Sequence, residues 1–155
     1  MSPDRTPPTP DQFRFVHEIE VRFRDLDGMG HVNNSVFATY FETARIRYMS
    51  ELGRLMGAKA DTPSGQSFIL LDLYCRYVDQ VSYGEHMLVH VRTSRIGGKS
   101  FQLDYLITSR NDGRTVAYGH TTQVGFDYAT GQTMVMPDEF RRAVAAHDGA
   151  PDTGA

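Results

Sequence analysis

DLDGMGHVNNSVFATYFETAR, residues 25–45, contains the end of a strand pattern and the beginning of a helix pattern. Asp25 and Asp27 stand at that junction, and glycines and asparagines then turn the chain. From Phe37 onward, apolar residues recur every three or four positions, as they do on one face of a helix. A carboxylate is therefore expected beside the N–H groups of a helix start, which pairs a base or nucleophile with a site for an oxyanion.

The residues on both sides extend these two patterns. Residues 15–24 alternate between apolar and polar, which is typical of a half-buried strand. After the turn, the spacing predicts one long helix of about six turns. Its apolar stripe consists of Phe37, Tyr40, Phe41, Ala44, Tyr48, Leu52, Leu55 and Met56.

The remainder of the chain is rich in strand patterns, which are predicted at 67–81, 86–96, 101–110 and 115–126. Gly97-Gly98 and Asn111-Asp112-Gly113 are typical of hairpin turns, so the strands that they join should be antiparallel neighbours. Residues 136–147 predict a short final helix. A single long helix with a broad apolar stripe is buried only if a curved sheet wraps around it. The sequence thus predicts an α+β hot-dog fold with about five antiparallel strands.

Length and composition support one domain. The chain has 155 residues, 40% of them hydrophobic, which suits one core, predicted over residues 13–146. The proline-rich residues 1–12 and the tail 147–155 are predicted to be disordered. Because the predicted sheet has open edges, we expect a homodimer or homotetramer.

The charge and the cysteine content argue against several classes of partner. A net charge of −3 and a pI near 6.0 give no basic field for nucleic acid or anionic membranes. No apolar run approaches the roughly 18 residues of a membrane span. The single cysteine, Cys75, cannot form an intrachain disulfide, which favours the reducing cytoplasm.

Residues 23–45 resemble the signature of the 4-hydroxybenzoyl-CoA thioesterase-like family of hot-dog acyl-CoA thioesterases. The matching residues are Asp25, Asp27, Gly30, His31, Val32, Asn33, Tyr40, Glu42, Ala44 and Arg45. The resemblance continues through RIGGKSF, residues 95–101, and covers roughly residues 16–140. It implies hydrolysis of an acyl-CoA thioester to a free acid and coenzyme A, which is part of the substrate, so no separate cofactor is expected.

The resemblance also implies roles for individual residues. Asp27 takes the position of the catalytic carboxylate and would act either as a nucleophile on the thioester or as a general base on water. The backbone N–H of Asn34 would polarise the carbonyl, and His31 would shape the loop or approach the thioester. The implied substrate-binding residues are Gly30, Asn33, Arg95, Lys99 and Ser100.

Other interpretations of these residues stay open from the sequence. Asp27 and the two asparagines also suit a turn and a helix cap. If Asp25 and Asp27 both lay on a strand, they would share one face about 6 to 7 Å apart and resemble an acid dyad, although Asp25 suits a role in organising the turn better. Glu42 on the helix is a reserve catalytic carboxylate.

No catalytic metal is predicted. His86 and His90 lie four apart on a strand, which separates them by about 13 Å and is too far for shared ligation.

Two other functions compete with thioester hydrolysis. One is a hydratase or dehydratase acting on acyl-CoA or acyl carrier protein, and the other is a non-catalytic acyl-CoA-binding protein.

Overall fold

A computed structural model describes residues 6–57 and 68–149. In chain order, the elements are β1 (Phe15–Glu20), α1 (Val36–Leu55), β2 (Phe68–Tyr77), β3 (His86–Ile96), β4 (Ser100–Ser109), β5 (Thr115–Asp127), β6 (Gln132–Thr133) and α2 (Asp138–Asp148). Short 3-10 turns precede β1 and α1, at Pro10–Gln12 and Phe23–Asp25. The prediction of one long helix among antiparallel strands is confirmed.

The strands form one antiparallel sheet in the order β1-β3-β4-β5-β2, and β6 pairs with the end of β5. The two predicted hairpins join β3 to β4 and β4 to β5, as expected. β2 pairs with β5 on the other side of the sheet. At Gly119 of β5 the two strands are so close that a Cβ would lie 1.9 Å from the carbonyl oxygen of Tyr74 in β2. The missing side chain lets β2 complete the sheet as its second edge strand.

The core lies between α1 and the concave face of the sheet. Phe41 of α1 stacks on Tyr105 of β4, with ring centroids 4.3 Å apart. The predicted apolar stripe is confirmed except near its end, where Leu55 is half exposed. Arg45 is buried as well, and its guanidinium donates to the Tyr105 hydroxyl over 3.3 Å.

The largest differences from the predicted boundaries lie in β1 and β2. β1 ends at Glu20 rather than at residue 24, because the chain then turns to bury the Asp25 carboxylate. β2 ends at Tyr77 rather than at residue 81, and residue 67 lies outside the described residues. The final helix covers Asp138–Asp148 rather than the predicted 136–147, and Asp148 accepts a hydrogen bond from the Thr93 N–H over 3.2 Å.

The N-terminal arm, predicted to be disordered over residues 1–12, is described from residue 6 onward and contains the 3-10 turn Pro10–Gln12. Phe13 anchors it, because its ring is buried against His90 at 5.7 Å and beneath the Arg92 guanidinium at 5.2 Å. Residues 1–5 and 150–155, which belong to the predicted disordered segments, lie outside the described residues.

Candidate active site

A tight turn of the backbone presents Asp27. The Gly30 N–H donates to the Asp27 carbonyl over 3.1 Å, and the Asp27 N–H donates to the His31 carbonyl over 2.8 Å. Gly30 has φ of +83°, a left-handed conformation that glycine adopts without the strain imposed by a Cβ. Gly30 thus serves the turn directly, which explains its place in the motif.

The Asp27 carboxylate has one engaged oxygen and one open oxygen. Oδ1 accepts the Met29 N–H over 2.9 Å and the His31 N–H over 3.4 Å. Oδ2 has no hydrogen-bond partner within residues 6–57 and 68–149, and the side chain is exposed. The interpretation of Asp27 as a turn residue is therefore correct for Oδ1, and it leaves Oδ2 available for chemistry.

Asp25 has a different environment, because it lies in the Phe23–Asp25 turn and not on a strand. Its carboxylate is buried and accepts the Arg22 guanidinium at 2.9 Å and the Tyr40 hydroxyl at 3.0 Å. Burial alone would raise the pKa of Asp25, but hydrogen bonds from Arg22 and Tyr40 outweigh it and lower the pKa. The idea of a dyad on one strand face is wrong, and Asp25 organises the turn.

The start of α1 contains a backbone donor without an acceptor. The Asn33 side chain accepts the Ser35 N–H over 3.1 Å in the turn before α1. Ser35, the N-cap residue, makes no side-chain cap hydrogen bond within the described ranges, so neither asparagine caps the helix as the capping interpretation proposed. The Asn34 carbonyl accepts the Tyr77 hydroxyl over 3.1 Å. The Asn34 N–H, in contrast, has no acceptor in the part of the chain that the structure describes. An open N–H at a helix start is the kind of group that stabilises negative charge on oxygen.

Asp27 and Asn34 line the same cleft, which has a volume of about 450 Å³. Its lining residues are Asp27, Met29, His31, Val32, Asn34, Phe37, Tyr77, Val78, Asp79, Gln80 and Val81. The His31 imidazole lies here and makes no hydrogen bond within the described residues. The residues that carry the open carboxylate oxygen and the open N–H therefore line one space, which is large enough for a small acyl group.

Four of the eleven lining residues, Val78 to Val81, come from the connection between β2 and β3, which sequence reasoning missed. We call residues 77–82 the cleft wall. The Val32 N–H donates to the Val81 carbonyl over 2.9 Å, and His31 forms an isolated bridge with Ser82, so the wall is attached to the Asp27 loop. No signal in the sequence indicates this contact, because the pattern of residues 67–81 predicts one continuous strand.

A model of the thioesterase-like superfamily matches residues 21–144, most of the chain and all of the motif. The chain belongs to this superfamily. The predictions of a hot-dog fold, of the family and of a thioesterase-class enzyme are thereby confirmed at the level of the family.

Individual relatives are similar to this chain along most of their length. A thioesterase from Thermus thermophilus, whose crystal structure holds coenzyme A and zinc, is 32% identical, with a TM-score of 0.78 over 91% of this chain and 98% of its own. A predicted thioesterase from Bacillus stearothermophilus is 26% identical, with a TM-score of 0.75 over 90% and 98% of the two chains. The uncharacterised protein YsmA of Bacillus subtilis (strain 168) is 30% identical over 127 residues, which are 82% of each chain.

In this thioesterase-family chain, the remaining motif residues lie away from the cleft. Arg95, Lys99 and Ser100 belong to the β3–β4 hairpin, which pairs with β5 near Val124, whereas the cleft adjoins β5 near Ala117. Seven residues of strand separate these positions by roughly 23 Å. One chain therefore does not bring the predicted substrate-binding hairpin to Asp27.

Glu42, the reserve carboxylate, does not line the cleft either. It is exposed on α1, where one oxygen lies 3.9 Å from the Arg45 guanidinium.

Within the described ranges, no group of three or more His, Cys, Asp or Glu residues is placed to hold a metal ion. The prediction of no catalytic metal stays a prediction. No helix in the described part of the chain is long and apolar enough to cross a membrane.

Proposed function

We propose that this protein is an acyl-CoA thioesterase in which Asp27 acts on the thioester carbonyl and the Asn34 N–H stabilises the charge that develops on its oxygen. One observation carries the proposal: Asp27 Oδ2 and the Asn34 N–H, within the described residues, are both without protein partners and line one cleft. The family assignment supports thioester chemistry at this place. A thioester carbonyl is reactive enough that these two groups form a sufficient site without a cofactor.

Two routes use the same groups. In the first, Asp27 attacks the carbonyl carbon, the bond to sulfur breaks, and a mixed anhydride forms while coenzyme A leaves as a thiolate that takes a proton from water. Water then hydrolyses the anhydride to the free acid and restores the carboxylate. In the second, Asp27 removes a proton from water as the water attacks the carbonyl, the bond to sulfur then breaks, and the coenzyme A thiolate takes a proton as Asp27 returns to the carboxylate, so no covalent bond to the enzyme forms.

Coenzyme A is the proposed carrier. The Thermus thermophilus relative, which is 32% identical, was crystallised with coenzyme A. In this chain, the Lys99 ammonium at the β3–β4 hairpin contacts the Thr133 hydroxyl at 3.2 Å and lies on the exposed surface, where it can meet a phosphate. Arg95 and Ser100 complete this proposed nucleotide contact.

A homodimer would bring that hairpin to the cleft. β2 is an edge strand with exposed Leu70, Leu71 and Leu73, which favours pairing with a second β2. If two copies pair antiparallel about a two-fold axis, the Phe68 end of one β2 lies beside the Tyr77 end of the other. The hairpin of one copy then approaches the cleft of its partner, so that each site contains residues of both chains.

The oligomer and the activity are tested separately. Sedimentation velocity at micromolar concentration should show a dimer or a tetramer, and a monomer would contradict the two-chain site. Release of free thiol should be measured over short, medium, long and aromatic acyl-CoAs, with acyl carrier protein offered as a second carrier. Binding without turnover would favour a non-catalytic protein, and hydration of an enoyl-CoA would favour a hydratase.

The two routes differ in the order in which the products appear. In a rapid-quench experiment with enzyme in excess of acyl-CoA, an anhydride route releases thiol before free acid whenever hydrolysis of the anhydride is the slower step. A general-base route releases thiol and acid together under all conditions.

A further inference from the structure

Arg114, directly before β5, makes an unusual set of contacts with the segment that carries the cleft wall. Its Nε lies 3.1 Å from an Asp79 carboxylate oxygen, and one terminal nitrogen donates to the Gln80 carbonyl over 2.7 Å. The other terminal nitrogen lies 2.8 Å from the Glu85 carboxylate and 3.0 Å from that of Asp112. One planar guanidinium thus joins three carboxylates and a backbone carbonyl.

These contacts hold the segment at both ends. Asp79 and Gln80 belong to the cleft lining, while Glu85 accepts the Ser82 N–H over 2.6 Å just beyond the wall. Hydrogen bonding to the Arg114 guanidinium is the main reason that the pKa of Glu85 is lowered, so Glu85 stays charged near neutral pH. Residues 78–81 form no helix or strand, and the Val78 and Asp79 N–H groups donate to the Val116 carbonyl over 2.8 Å and 3.1 Å. Arg114 adds the side-chain contacts to Asp79 and the Gln80 carbonyl, which fix the part of the segment beyond those two bonds.

The wall in turn supports the loop with the open carboxylate. The Val81 carbonyl accepts the Val32 N–H over 2.9 Å, and Ser82 bridges to His31. The His31 carbonyl then accepts the Asp27 N–H over 2.8 Å. A displacement of the wall would therefore reach Asp27 through two consecutive backbone contacts.

We propose that Arg114 is a positioning residue that fixes the cleft wall and, through it, the orientation of the Asp27 loop. It does not face the reacting atoms, and it acts on the reaction only through residues 77–82. This inference rests on the proposed function, because it assigns Arg114 a part in the same site. The structure offers a matched control in Arg110, an arginine before the same β4–β5 turn that pairs with Glu18 at 2.8 Å and does not line the cleft.

The test compares Arg114→Gln, Arg114→Lys and Arg110→Gln with the unchanged full-length protein. Arg114→Gln should lower kcat for acyl-CoA hydrolysis by about tenfold, because a small misplacement of a reacting group is costly. Arg114→Lys should recover only part of that loss, since an ammonium cannot serve Asp79, the Gln80 carbonyl and Glu85 together. Arg110→Gln should keep kcat within about twofold of the unchanged protein.

Amide hydrogen exchange gives a second measurement that does not need activity. In Arg114→Gln, the amides of residues 26–33 should exchange about tenfold faster, while those of β3 and β4 stay protected. The inference is overturned if kcat and exchange in Arg114→Gln match those of Arg110→Gln, or if exchange rises uniformly over the chain. If no protein shows turnover, the proposed function fails, and the exchange pattern still decides the role of Arg114. Should Arg114→Gln not fold, Arg114→Lys replaces it in both measurements.

Discussion

Asp25 and Asp27 are identical side chains two residues apart, yet the fold gives them opposite environments. Asp25 is 2% exposed, and its carboxylate is held by Arg22 and Tyr40. Asp27 is exposed, and its Oδ1 is held only by N–H groups of its own loop. The difference shows that position in a motif does not decide the environment of a carboxylate: the Asp25 carboxylate is bonded within the fold, and the Asp27 carboxylate keeps the open oxygen on which the proposed chemistry rests.

The largest expected effect comes from Asp27→Asn. The amide can still accept the Met29 N–H, so the turn should form, but it is neither a nucleophile nor a base. We expect kcat for thiol release to fall by about 10³-fold, a loss typical of removing a catalytic carboxylate. Thiol release from the best acyl-CoA of the panel is the measurement.

Thermal unfolding is the control for that variant. Because Asn keeps the Oδ1 contact, the Tm of Asp27→Asn should stay close to that of the unchanged protein. If the Tm fell sharply while the folded fraction kept its activity, Asp27 would be a turn residue alone, and the contrast with Asp25 would disappear.

Asp25→Asn should reverse this pattern. Removing the charge leaves the buried Tyr40 hydroxyl and the exposed Arg22 guanidinium with a weaker acceptor, so we expect the free energy of unfolding to fall by about 2–3 kcal/mol, most of it from the buried groups. Activity per folded molecule should persist, since Asp25 does not line the cleft. Urea unfolding measures the first quantity, and thiol release at low urea measures the second. A variant with full stability and no turnover would contradict the structural role.

The sequence predicted the half of the site that depends on local patterns. The periodicity from Phe37 onward located α1, and the order of acid, glycine and asparagine located the turn that leads into it. Such features need only neighbouring residues to form, because a turn satisfies backbone groups within a few positions.

The cleft wall, residues 77–82, depends on contacts between distant parts of the chain, and the sequence pattern does not predict it. Phe23 continues the alternation of residues 15–24, but it is 78% exposed because the chain leaves the sheet after Glu20. Asp79 lines the cleft in a segment that is held by contacts such as that of the Val81 carbonyl with Val32, which is 49 positions away in the chain. No spacing rule within one strand reveals such a pairing.

The pH dependence of stability should separate the two aspartates further. The pKa of Asp25 is lower in the folded chain than its ordinary value of 3.8. A lowered pKa means that the charged form stabilises the fold above about pH 3.8 and that this contribution is lost as the pH falls through the folded pKa. The stability difference between the unchanged protein and Asp25→Asn should therefore be constant from about pH 5 to 7 and should shrink below about pH 4. Urea unfolding at each pH gives the difference, and a gap that stayed constant down to about pH 2 would contradict the assignment.

The smallest expected effect is that of Tyr40→Phe, which removes one hydrogen bond from the Asp25 carboxylate. Burial and the Asp25 charge raise the pKa of Tyr40, so its hydroxyl remains a donor at every pH of interest. The loss of one such bond should lower the free energy of unfolding by about 1 kcal/mol and leave kcat unchanged. In the Asp25→Asn background the same substitution should cost less, because the two groups act on each other. If instead Tyr40→Phe lowered kcat as much as Asp27→Asn does, the buried carboxylate would belong to the reaction, and the division between the two aspartates would have to be abandoned.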